Sequence, residues 1–374
     1  MAGSYELWLT TDTGVRIAQL DYSLGFTATR VANGIGRLEI ELPITFDDSI
    51  LTPDKMIHVL RRPSGGRLSL WRPYFVRRWK FAESASGETI RLFGADPNEL
   101  LSRRIVAAFS GTSYSTKSAA ADDMMKEIVT EAVSDSAEPT PSSGTREWNN
   151  FSIAPDVSLG ADISDSFSFD RLSTDSGSGT LASLAAASKV AGVDLYYDVE
   201  VSNYTEDSIA FEFRTHINQP ALDVSDSVVF SAAAGNLSGI TLDIDYSREV
   251  TVVYGGGQEE GTRRVVVQVS DSDRSSASVW NRRELFVNAS NRGTSEAVRE
   301  AARTLLRSRE PVIRFAGTPH DTKGTRFGVD WDWGYKVTAR HRRYEFGVIT
   351  RAVAIGIAPD GGEVISANLG YESE

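Results

Sequence analysis

Two carboxylates and two indoles stand together at Asp330-Trp331-Asp332-Trp333, and paired acids beside aromatic platforms are the parts that glycoside hydrolases use. In a strand, however, Asp330 and Asp332 share one face and both Trp share the other, whereas hydrolysis needs its acids across a cleft with separated pKa values. The pattern predicts two packed indoles and two exposed acids. Tyr254-Gly255-Gly256-Gly257 is a glycine-rich stretch after a strand, but Gln258-Glu259-Glu260 follows it. Acid beside the loop repels phosphate and no Lys-Ser/Thr step is present, so a hairpin turn is expected. Asp271-Ser272-Asp273 has the opening of a calcium loop without its central Gly and terminal Glu, and reads as a solvated turn. Ser176-Gly177-Ser178-Gly179 is a linker pattern rather than a nucleophile elbow. The four histidines, His58, His216, His320 and His341, are isolated, and there is no cysteine. Disulfides, thiolate–zinc sites and iron–sulfur clusters are thereby removed. No catalytic, cofactor-binding or metal-ligating residue is expected, and no cofactor.

Stepping from these residues to the chain that must position them, 374 residues suffice for two or three domains, and 41 % apolar residues suffice for a substantial core. No apolar run reaches the ~18 residues of a membrane span, and Met1 to Leu9 lacks the pattern of a secretory signal. A soluble chain made in a cytoplasm is expected. The net charge of −12 argues against binding duplex DNA through its phosphates and suits a wall that must not stick to nucleic acid. Six Arg-Arg pairs occur, at 61–62, 77–78, 103–104, 263–264, 282–283 and 342–343. Either they form a solvated face, or they supply Arg–carboxylate pairing between subunits.

Short β segments fill residues 5 to 108: Tyr5–Leu9, Val15–Leu20, Arg37–Leu42, Met56–Leu60, Tyr74–Phe81 and Thr89–Phe93, with frequent turns that suggest a barrel or sandwich. Helical spacing predicts a first helix over Ser118–Val133, with Asp122 and Asp123 in its first turn. Its Met124-Met125 pair reads as core filler. Residues 134–179 form a long excursion rich in Ser, Asp, Gly and Pro, expected to be less ordered than its surroundings or ordered by a partner. Its Trp148, Phe151, Phe167 and Phe169 point to partial packing. A second helix is expected over Leu181–Ala191 and a third over Ser295–Ser308, each after a Thr cap. Between and after them lie further β segments, up to Leu369. The expected architecture is α+β, mainly β. It comprises an N-terminal tube-like barrel (1–108), a mixed middle region (109–222) and a C-terminal tube-like barrel (223–374), with three short helices in all.

The two β ends echo one another. Lys55–Gly94 and Lys336–Gly370 share an order of strand, turn, strand with Arg, Gly-containing turn, Glu-led strand and Gly. The segment 93–106, Phe-Gly-Ala-Asp-Pro-Asn-Glu-Leu-Leu-Ser-Arg-Arg-Ile-Val, resembles one in siphophage tail-tip proteins of the ReqiPepy-type Gp37-like family. Phe327-Gly328-Val329-Asp330-Trp331-Asp332-Trp333-Gly334-Tyr335-Lys336-Val337 resembles the lead-in to that family's last barrel, and Trp280-Asn281-Arg282-Arg283-Glu284 its mid-chain Arg-Glu element. Tyr335 stands where the family usually has Asp, so no carboxylate role is carried to that position.

The resemblance implies a baseplate-hub fold: two barrels like those of the tail tube, assembled as a homotrimer whose six similar faces match a six-fold tube. It implies a virion protein at the tail tip that lets DNA pass. Partners would be a distal tail or tail tube protein, tail fibre or receptor-binding tip proteins and the tape measure protein, with no membrane insertion by this chain. The two barrels are expected to share one topology around an electronegative channel. The chain stops at Glu374 directly after the last β pattern, so no appended wall-degrading domain is expected. A receptor- or carbohydrate-binding tail protein is the alternative, and a glycan hydrolase a third.

Overall fold

A computed structural model describes residues 3–63, 65–84, 87–107, 115–133, 146–174, 177–258, 264–290, 294–367 and 369–372. The chain is mainly β, as its alternating segments require. It divides into two compact units, 1–238 with 318–369, and 239–317 with 370–374. The boundaries expected at 108/109 and 222/223 both fall inside the larger unit.

The larger unit is built on a nine-stranded sheet. Its order is Arg16–Gln19, Ser4–Thr10, Lys55–Arg62, Ser69–Ser84, Gly87–Ala95, Arg37–Pro43, Phe26–Val31, Ala352–Ile357 and Glu363–Ala367. Strict alternation buries Leu38, Ile40 and Leu42 on one face of their strand and leaves Arg37 and Glu39 out. The last two strands arrive from the C-terminus, pairing Ile355 with Ala28 and Ile365 with Ile355. The closed barrels expected at each end are therefore not what the ladders make. No ladder closes among the described residues, and the N-terminal sheet is completed by C-terminal strands. The echoed segments also part company. Lys55–Gly94 lies in one sheet, whereas Lys336–Gly370 is shared between this sheet and a three-stranded one of Val229–Ser231, Lys336–His341 and Tyr344–Ile349.

In the middle of the chain, helices Ala121–Val133 and Thr180–Val190 pack with a sheet of Leu195–Tyr204, Ile209–Ile217 and Phe151–Ile153. Met124, Met125, Ile128 and Leu184 form a core with Phe211 and Phe213, joined by Met56 and Phe75 of the nine-stranded sheet. The methionine pair is core filler, as its spacing requires. Strand Ser115–Ala120 runs straight into the first of these helices, which begins three residues later than expected. The described residues add three short helical turns, Asp48–Ile50, Glu99–Ser102 and Ser272–Ser276. Of the long excursion, residues 134–145, 175 and 176 lie outside the described residues. The remainder contains strands Phe151–Ile153 and Asp162–Phe167.

The smaller unit holds the sheet Val266–Ser270, Val252–Gly256, Glu284–Asn288. Helix Ser295–Arg307 lies on one face, where Val298, Ala302 and Leu306 meet Val253 and Val267. Thr294 caps that helix by accepting the Ala297 N–H at 3.2 Å. A second sheet pairs Val312–Pro319 with Leu237–Asp245 and Tyr371–Glu372.

Candidate functional site

The chain's most concentrated chemistry is buried rather than displayed. Arg72, on the long strand Ser69–Ser84, is 2 % exposed and lies between two buried carboxylates. Its Nη2 donates to Asp96 Oδ2 at 3.0 Å and to Asp198 Oδ1 at 2.8 Å, and its Nη1 donates to Asp198 Oδ2 at 3.2 Å. Arg30, from strand Phe26–Val31, donates to the same Asp198 and stacks on the Trp333 ring, 3.6 Å from its centroid. The guanidinium fork suits this bidentate duty. Burial raises the Asp96 carboxyl to about 6, Arg72 pulling it down and Asp198 pushing it further up. Burial also acts to raise Asp198, yet two guanidiniums face it, so it is held below the usual carboxylate range. Two carboxylates share Arg72, and Arg30 bonds Asp198 directly while reaching Asp96 only through its field.

Neighbouring polar groups complete the junction. Asn98 Nδ2 donates to Gly34 O at 2.8 Å, while its Oδ1 accepts the Val199 N–H at 2.7 Å. Asn33, at φ +53°, does the same for strand Leu195–Tyr204 by accepting from Tyr197 N at 2.8 Å. Gly36 has no room for a side chain: a Cβ there would lie 2.2 Å from Thr29 O and 2.9 Å from Asp96 Oδ2. Strands far apart in sequence are thus held at one point by charge and hydrogen bonds.

A second lock closes the curl of the nine-stranded sheet. Glu363, on its last strand, accepts from Tyr5 Oη at 2.6 Å, from Arg61 Nη2 at 3.0 Å and from the Gly3 N–H. Arg61 also donates to Phe327 O at 3.0 Å. Side chains bridge strands that no backbone ladder joins.

Between the two locks lies a cleft of about 400 Å³, lined by Arg30, Arg61, Glu200, Asp332, Trp333 and Tyr335 among others. Here the Asp-Trp-Asp-Trp motif departs from expectation. It is a turn, not a strand, bounded by Gly328 and Gly334 at φ +76° and +77°. Both indoles are buried as expected, Trp331 against Phe230 and Phe327. The acids are not the exposed pair that alternation predicts. Asp330 is drawn onto Arg326, whose Nε donates at 3.0 Å. Asp332 is half-buried, its carboxyl raised by burial against the pull of Arg30 and Arg61. Neither is paired with a nucleophile or with the other as acid and base.

The other motifs resolve likewise. Gly255 and Gly256 lie within a strand rather than a turn, paired on both sides, and a Cβ would meet Val298 Cγ1 at 2.9 Å in one case and Arg264 Nε at 2.6 Å in the other. Gly257 continues the pairing through Val265 O, and residues 259–263 lie outside the described residues. Asp271 caps the helix Ser272–Ser276, accepting from Arg274 N at 2.9 Å, instead of standing in a solvated turn. Among the described residues no three His, Asp or Glu side chains gather as a metal site. His58 is fully buried beside Tyr204, and burial with the nearby Arg16 lowers it to about 4. The Arg-Arg pairs include intrachain partners: Arg61 holds Glu363, Arg103 holds Glu99 and Asp54, and Arg104 stacks on Trp148. Sequence reading missed Arg72 and Asp198 altogether. The only signal was Asp96 and Asn98 within the resembling segment 93–106, and Trp333 within the other; these two segments meet at the junction.

The chain is mainly β, and buried ion pairs join its strands. Its fold is shared, over 98 % of both chains, with the 43 kDa tail protein of prophage MuSo2 from Shewanella oneidensis, at TM-score 0.53 and 13 % identity. A tail protein from Neisseria meningitidis MC58 matches at TM-score 0.52 and 10 % identity, covering 98 % of this chain and 97 % of that one. A chain of the Francisella PdpA-VgrG complex matches at TM-score 0.50 and 8 % identity, over 99 % of this chain and 52 % of that one. A search of curated protein sequences finds no match. The model of the Siphovirus ReqiPepy6 Gp37-like protein family matches residues 6–371, and the chain belongs to that family.

Proposed function

We propose that this phage tail protein is a non-enzymatic hub of the tail tip, assembled as a trimeric ring. It links the tail tube to the tip and host-binding proteins and lets DNA pass. The observation that carries the reading is the agreement of the family match over residues 6–371 with a tail-protein fold along the whole chain. The junction supports it: a ring that bears the load of DNA ejection needs its sheets tied together, and Arg72 ties the N-terminal sheet to a mid-chain strand while Arg61 ties it to a C-terminal one. The net charge of −12 suits a passage for DNA that must not hold it. Neighbours in this reading are a distal tail or tail tube protein, tail fibre or receptor-binding proteins and the tape measure protein.

The test is electron microscopy of intact tails carrying a tagged copy of this chain, together with the solution mass of the purified chain. Three copies around an open channel at the end of the tube are expected. A position away from the tip, or a chain that stays monomeric beside its tail partners, sinks the hub reading. Sugar or peptide release from host cell wall, lost on Asp330→Ala or Asp332→Ala, sinks the non-enzymatic one.

A further inference from the structure

Two surfaces of the chain expose large apolar side chains, one beside arginines, of which Arg282 is paired with Glu284, and the other among aspartates. The first is in the smaller unit, which has 12 Arg, no Lys and 13 Asp or Glu in 239–317 and 370–374. The face of its sheet away from helix Ser295–Arg307 carries Tyr254, Val266 and Phe286. Val266 is 59 % and Phe286 51 % exposed. Arg264 lies over Phe286 at 5.2 Å, in room left by the bare Gly256. Just before strand Glu284–Asn288, Val279 and Trp280 stand 87 % and 88 % exposed, followed by Arg282 and Arg283. Arg283 donates to the backbone carbonyls of Tyr246 and Ser247, next to the exposed Arg248. Trp and Arg with no Lys is the composition of an interface core.

The second surface is the stretch 155–170 of the larger unit. It has four Asp and no Lys or Arg. Asp156, Asp162, Asp165 and Asp170 are all exposed, together with Val157, Leu159 and Phe169. The loop that presents Val157 and Leu159 is pinned from below by helix Ala121–Val133. Asp123 accepts from the Val157 and Ser158 N–H groups at 3.1 Å each, and Asp122 accepts from Gly160 N at 2.7 Å. Two large apolar side chains held out on an anchored loop are preorganised for a partner.

We infer that the Trp280 surface of one copy docks on the Asp-rich stretch 155–170 of a second copy, a head-to-tail contact. Such a contact uses two different patches and so propagates around a ring instead of ending at a dimer. The inference deepens the ring reading, resting on it only for the number of copies.

Sedimentation of the full chain tests it. The unaltered chain is expected to self-associate, more weakly as salt rises. Trp280→Ala should weaken association ~30-fold or more, as loss of a central anchor does, while its exposure leaves the melting temperature unchanged. The pair Arg248→Glu with Arg282→Glu, and the pair Asp156→Arg with Asp162→Arg, should each weaken it, and a chain carrying both pairs should regain it. Mixed in equal amounts, Trp280→Ala and Asp156→Arg/Asp162→Arg copies should form a heterodimer and nothing larger, since one intact contact remains between them. Ring assembly undiminished by Trp280→Ala overturns this contact and leaves the hub reading intact. A chain monomeric at every concentration and beside its tail partners overturns both. Loss of binding to a different tail protein on Trp280→Ala, with self-association unchanged, overturns the choice of occupant.

Discussion

Arginine is set differently at the junction of the larger unit and on the sheet and helix of the smaller one. In the larger one, Arg72 is 2 % exposed and fixed between two carboxylates, and Arg61 is 4 % exposed and fixed on Glu363. In the smaller one, Arg282, Arg299 and Arg303 pair with Glu284, Glu296 and Glu300 on the surface, all at least 40 % exposed. The same ion pair is worth different amounts in the two settings. Water screens the exposed pairs to between zero and ~1 kcal/mol, whereas removing one partner of a buried set strands a charge at ~3–5 kcal/mol. Buried arginine therefore holds this fold, and the surface pairs add little to it.

The comparison breaks most sharply at Arg72. Arg72→Met leaves Asp96 and Asp198 buried, with Asp198 keeping only Arg30, and should cost ~3–5 kcal/mol in thermal or urea unfolding. A loss under ~1 kcal/mol would mean the junction is wetter than its burial shows. His58 comes next. Its folded pKa of about 4 lies below the unfolded value near 6.5. The neutral form is native, so its stability is fully present above pH 6.5 and is lost as pH falls toward 4, by roughly 3 kcal/mol. Asp96, raised to about 6 in the fold, gains stability over the same fall in pH, so the His58 share is read as the difference between the unaltered chain and His58→Gln, which should shrink by that amount from pH 7 to pH 4. Thr294→Ala removes a helix cap in the smaller unit, for an expected ~1 kcal/mol in the melting of that unit. At the bottom, Arg303→Ala should leave the melting temperature unchanged, its ion pairs being screened by water. A change as large as that at Arg72 would erase the distinction between the two units.

Much of the local structure was legible. Alternation in Arg37–Leu42 and in Ile209–Phe213 marks strands because one face is buried and the other wet, and the same holds at the third helix, where Val298, Ala302 and Leu306 form a buried stripe. Strand Phe26–Val31 escaped notice since Thr27, Thr29 and Arg30 mask its pattern among small residues. Asp162–Phe167, Asp-Ser-rich and mostly exposed, reads as a loop and becomes a strand only through its ladder with Ser115–Ala120.

What the amino-acid sequence by itself determined is the mainly β composition, the three longer helices, the lack of cysteine chemistry and the family. Each depends on residue type and short-range period, which the chain carries without its fold. The tertiary structure alone decided that C-terminal strands complete the N-terminal sheet, and that Arg72 meets Asp96 and Asp198. It decided likewise that Asp332 is half-buried while Trp280 stands in solvent. Burial and ion pairing depend on which distant segments come together, and a residue 24 positions away or 126 positions away looks the same to local pattern.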